Sequence, residues 1–146
     1  MTAFLALSSA AAAAITGATA LGSGRVLRGR DVAMPKADTR GVRVNTLRWV
    51  GKPLDLGGDT MQWDGTVLIT VMARGTPDQD AEAAIDDLLG ETWSRLAGMT
   101  PPAGCNSVTL DPDIRFSVDD ADASVATAAF ALSITQLTAS AALTAA

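Results

Sequence analysis

Residues 61–75 read MQWDGTVLITVMARG. From Val67 to Met72 every residue is apolar or threonine, and Val67, Ile69 and Val71 share one face at a period of two. This is the clearest strand in the chain, and it needs a partner. The nearest one in sequence is GVRVNTLRWV, residues 41–50, where Val42, Val44 and Thr46 alternate with Arg43, Asn45 and Leu47. The stretch between them, GKPLDLGGD, is rich in Gly, Pro and Asp and reads as a loop. A hairpin is therefore the economical pairing.

Helical patterns lie on both sides of this hairpin. Phe4, Leu7, Ala11, Ala14, Ile15 and Ala18 recur at helical spacing, which predicts an Ala-rich packing helix over about residues 2–20. A secretory leader ending at Ala18-Thr19-Ala20 is the alternative, and its removal would leave a small secreted binding domain. No Lys or Arg precedes the apolar run, and Ser8, Ser9 and Thr16 interrupt it, so the packing helix is preferred. Residues 25–39, with Gly29 and Pro35, read as an irregular connection. The second helix falls within residues 75–98, with Thr76, Asp78 or Asp80 as its cap and Ala81, Ala84, Ile85, Leu88, Leu89, Thr92, Trp93 and Leu96 as its apolar stripe. VTLDPDIRFSV predicts a strand interrupted at Pro112, DDADAS a turn, and VATAAFALSITQL a long final strand. The order is α-β-β-α-β-β, which defines an α+β class with a mainly antiparallel sheet and two helices packed on it. Residues 1–137 form one domain, and 138–146 read as a frayed C-terminal tail. Hydrophobic residues make up 48% of the chain but aromatic ones only 4%. The core is thus expected to be small aliphatic side chains around Phe4, Trp49, Trp63, Trp93, Phe116 and Phe130.

Catalytic equipment is sparse. The chain has no histidine and one cysteine, Cys105. That removes the usual general base, the commonest metal ligand and any internal disulfide. A Ser-Lys pair would need Lys36 or Lys52, both in loop-like segments. The acids at Asp111, Asp113, Asp119, Asp120 and Asp122 lack the glycine and closing Glu of a calcium loop and read as turn residues. GSGRVLRG lacks the Gly-Lys-Ser/Thr ending of a phosphate loop. Trp49 and Trp63 read as a contact across the hairpin rather than a base-stacking platform, since acids are as near as bases. No enzyme activity, cofactor or metal is expected.

Charge carries more information. The net charge is -5, yet residues 25–52 hold Arg25, Arg28, Arg30, Lys36, Arg40, Arg43, Arg48 and Lys52 against Asp31 and Asp38. Residues 53–146 hold three arginines against fourteen acids. A DNA-binding domain would be basic overall, and this surface would repel phosphate. A chain with one basic and one acidic region is suited to meeting copies of itself head-to-tail, and such contacts close into rings. The expected subunit contact sets Arg25, Arg28, Arg30, Arg40 and Arg43 against acids of a neighbour, with Asp86, Asp87 and Glu91 as candidates.

The layout resembles the tail-terminator family of long-tailed bacteriophages, of the lambda minor tail protein U type. A first helix leads through DVAMPKADTRGVRV to a strand, and PLDLGGDTMQWDG precedes the extended apolar run TVLITVMARG. PDQDAEAAIDDLLGETWSRL is similar to the family's acidic-start helix, and RFSVDDADASVATAAFALSITQL to its closing hairpin. The uncharged Ala-rich first helix departs from the family, and the tail beyond Leu137 is extra. The resemblance implies a structural virion protein, assembled in the host cytoplasm. It would form a homo-oligomer, a hexameric ring, between the tail tube protein and a neck or connector protein. DNA would pass through the lumen without specific binding, and no membrane is involved. Another neck, head-completion or tail tube component is the nearest alternative.

Overall fold

The computed structural model describes residues 1–29, 33–118 and 124–145. Among these, the order is α1 (Ala3–Ile15), β1 (Arg25–Arg28), β2 (Arg40–Pro53), β3 (Thr60–Arg74), α2 (Ala81–Ala97), β4 (Cys105–Leu110), β5 (Arg115–Val118) and β6 (Val125–Ala139). The class is the expected α+β, with two strands more than the sequence pattern predicted.

β3 and β6 form the centre of the sheet. They pair antiparallel along their whole length, from Thr60↔Ala139 to Arg74↔Val125. β2 lies on the other side of β3, with an extra residue at Leu47 between the Thr46 and Arg48 pairs. β6 is uncharged, and β3 holds only Asp64 and Arg74, both near its ends. The helices cover only the face of Val67, Ile69 and Val71, while on the opposite face Met72 is buried with Met34 and Val125 in a second small cluster, so the Val67–Met72 run is apolar on both sides.

Both helices pack on one face. Val42, Val44, Val67, Ile69, Val71, Phe130, Leu132 and Ile134 meet Leu7, Ala11, Ile15, Leu88 and Leu96 in one buried cluster. Fully burying each large aliphatic side chain stabilises the fold by roughly 1.5–3 kcal/mol. Ala11 and Ala12 of α1 are buried in this cluster. Thr2 caps α1 by accepting from the Leu5 N–H at 3.3 Å, and Asp80 caps α2 by accepting from the Ala83 N–H at 2.7 Å. α1 ends before Gly17, whose φ of 82° suits glycine, so it is shorter than predicted.

Two glycine–tryptophan pairs build the far end of the β2–β3 hairpin. A Cβ on Gly65 would stand 2.3 Å from the Trp49 ring, and one on Gly51 would stand 2.6 Å from the Trp63 ring. Each indole therefore lies flat over the backbone of the opposite strand. Phe4 stacks on Trp49 with centroids 4.5 Å apart and meets Trp63 edge-on at 5.2 Å.

Four expectations change. The segment after the first helix contains β1, which pairs parallel with β2. VTLDPDIRFSV divides into β4 and β5, which dock on successive parts of one edge of β6. Phe116 is 67% exposed and is no core anchor, whereas Phe130 is 1% exposed. The C-terminal residues are held: Thr138 is buried and accepts from the Trp63 indole N–H at 2.9 Å, and the Leu143 carbonyl accepts from the Ala3 N–H at 2.7 Å. The acidic turn over residues 119–123 lies outside the described residues.

Candidate functional site

The strand order is β1-β2-β3-β6-β4, with β5 also on β6. β1 and β2 contribute Arg25, Arg28, Arg40, Arg43, Arg48 and Lys52 and no acid. The opposite border, residues 105–118, holds Asp111, Asp113 and Arg115. α2 adds Glu82, Asp86, Asp87 and Glu91 against Arg95. Charge thus runs across the sheet, from a basic edge through a neutral centre to an acidic flank. The fold converts the sequence asymmetry into two separate borders.

The candidate arginines differ in what they touch. Arg25 is 60% exposed and pairs with Asp38 at 2.8 Å. The Arg28 guanidinium donates to Ser9 Oγ on α1 at 3.0 Å. Arg40 donates to Gln79 Oε1, and Gln79 in turn donates to Asp87 at 2.9 Å. Arg43 reaches Met72 Sδ at 3.3 Å on the sheet face that the helices leave uncovered. Arg30 lies outside the described residues.

The three acids also part company. The Glu91 carboxylate accepts from the Thr19 N–H at 2.8 Å and the Ala20 N–H at 2.7 Å, and Arg95 lies 3.3 Å away. The Ala20 and Thr19 amides, with help from Arg95, hold its pKa below the ordinary value. Glu91 therefore clamps the turn after α1 within its own subunit. Asp87 is engaged through Gln79. Asp86 instead lines a groove of about 590 Å³ beside β5, together with Asp80, Glu82, Ala83, Ile85 and Phe116. Pattern reading missed Phe116 as a surface residue, because an aromatic in a short apolar-polar stretch reads as core. The break at Pro112 and the acids on both sides of RFSV were the available signal.

The uncovered sheet face is rich in hydroxyls. Thr66, Ser107, Thr109, Ser133 and Thr135 line a shallow depression there with Arg48 and Asp64. Among the described residues, no three His, Cys, Asp or Glu side chains gather as a metal site. Cys105 is half-buried, and desolvation pushes its thiol pKa up, which keeps it a poor nucleophile. No described helix is long and apolar enough to cross a membrane.

No family model matches this sequence. No curated protein matches it either. Among the solved structures that share its fold is a chain in the virion of a native gene transfer agent particle. The TM-score is 0.52 at 12% identity, covering 94% of this chain and 92% of that one.

Proposed function

We propose that this chain is a structural virion protein, a tail terminator that forms a ring on the head-proximal end of a tail tube. The observation that carries the reading is the fold shared, nearly end to end, with a chain of a gene transfer agent virion. The finer assignment rests on the layout that resembles tail terminators and on the charge gradient across the sheet. In this role the chain is not an enzyme and needs no cofactor. It stops tube growth by covering the last tube ring and offers its other surface to the neck. A hexamer is the proposed state, with DNA passing through without specific binding.

Mass measurement on the purified full-length chain tests the ring, which should weigh six times the 14.9 kDa subunit. Locating the chain in a particle tests the position. A single ring at the neck supports a terminator, whereas stacked rings along the tail make it a tube protein instead. A chain absent from particles and monomeric at every concentration would end the proposal.

A further inference from the structure

The basic edge and the acidic flank occupy the same rows of the sheet. Val26 pairs with Val42, Val42 with Val71, Val71 with Ala128, and Ala128 with Phe116. β1 and β5 thus stand at one level as the two outer members of five aligned strands, and each is four residues long. Among the described residues, neither has a strand on its outer side. Their directions also suit each other. β1 runs parallel to β2, and β5 runs antiparallel to β6, so β5 of one copy beside β1 of the next makes an antiparallel pair.

We infer that β1 of one copy adds to β5 of the next, and that this strand addition is the contact that closes the ring. The inference rests on the ring reading above. The two edges are complementary on the helix-covered side; Arg115, the one charged residue of β5, lies on the other side and pairs with Asp113 at 3.1 Å. On the helix-covered side, β5 presents Phe116 and Val118, 67% and 56% exposed, next to Glu82 and Asp86. On the same side, β1 presents Val26, which packs on the core, and Arg28. Matched rows set Val26 beside Phe116 and put Arg28 on the row of Phe130, two residues from the Phe116 row, on the same helix-covered side as Glu82 and Asp86. Backbone hydrogen bonds supply pairing, the two apolar side chains supply burial, and the charges fix which edge meets which. A head-to-tail contact closes only if successive copies do not climb, and edges on the same rows need no shift along the strands.

Mixing separates this contact from any other. Arg28→Glu damages the β1 edge and leaves β5 intact, while Phe116→Asp does the reverse. Each variant alone should run as a monomer at concentrations where the unchanged chain is a ring. A one-to-one mixture should give only a species of twice the 14.9 kDa subunit mass, because a single competent contact remains. Formation of that pair also proves both variants folded. Should either variant lose its cooperative melt, Arg25→Glu and Val118→Asp repeat the experiment. If the single variants still form rings, or folded variants fail to pair on mixing, the strand-addition contact is wrong while the ring stands. If the unchanged chain is monomeric at all concentrations, both readings fall together.

Discussion

β1 and β5 are equal in length, aligned in register and opposite in character. β1 carries Arg25 and Arg28 around two half-buried aliphatic residues. All four residues of β5 are exposed, including an aromatic ring. Between them, β3 and β6 hold the buried centre of the fold. The contrast teaches a division of labour. The middle of the sheet makes the subunit stable, and its two edges are free to specialise in recognition. Two phenylalanines one strand apart test that division most sharply. Phe130→Ala should destabilise the subunit by about 3–5 kcal/mol, since it opens a cavity beneath Trp93, whose ring lies 4.9 Å away. Phe116→Ala should change monomer stability by no more than about 0.5 kcal/mol while weakening assembly. Denaturant unfolding at a concentration below assembly reads both. Equal losses at the two positions would erase the distinction between centre and edge.

The next largest effect concerns the hairpin arm. Gly65→Val forces a branched side chain into the Trp49 ring, and overpacking of this kind costs about 1–3 kcal/mol. The same change at Gly57 meets only the flexible Asp55 and Asp59 side chains and should cost far less. Thermal melts of the pair distinguish a glycine required by packing from one in a loop.

How legible these features were depends on how many residues carry each pattern. β3 and β6, with 15 residues each, carry a long apolar run and a long period-two stretch respectively, and α2 shows a cap and a full stripe. All three were readable. β1 and β5, at four residues, are too short for alternation to stand out, and parallel pairing of β1 leaves no hairpin turn to announce it. The glycine–tryptophan pairs could be guessed as a cross-hairpin contact, but register decides which glycine lies under which ring. The basic segment was visible as composition. That Arg40 is held within the subunit through Gln79 while Arg25 and Arg28 stand on an edge strand was not, because these positions arise only through the fold.

Salt sharpens the comparison of the two edges directly. The Debye length falls from about 10 Å at 0.1 M to about 3 Å at 1 M ionic strength. A contact steered by Arg28 against Glu82 and Asp86 should therefore weaken as salt rises, although the apolar part at Val26, Phe116 and Val118 persists. Sedimentation across that range should show the ring dissociating at higher protein concentration in high salt. A ring indifferent to salt would mean that the charge gradient plays no part in assembly.

The smallest effect separates an internal acid from an interface acid. Glu91 accepts from the Ala20 and Thr19 amides, and its folded pKa lies below the unfolded value. A depressed carboxylate pKa contributes stability that is present above the unfolded value, near 4.5, and is lost as pH falls through the folded one. Glu91→Gln should thus lower Tm slightly at neutral pH, and the difference should fade as the solution is acidified through that window. Assembly should be unaffected at neutral pH, because Glu91 faces its own α1 turn. Asp86→Asn should do the opposite, leaving Tm nearly unchanged while weakening the ring. A Glu91→Gln chain that melts normally yet fails to assemble would move Glu91 to the interface and break the assignment of acids made from the structure.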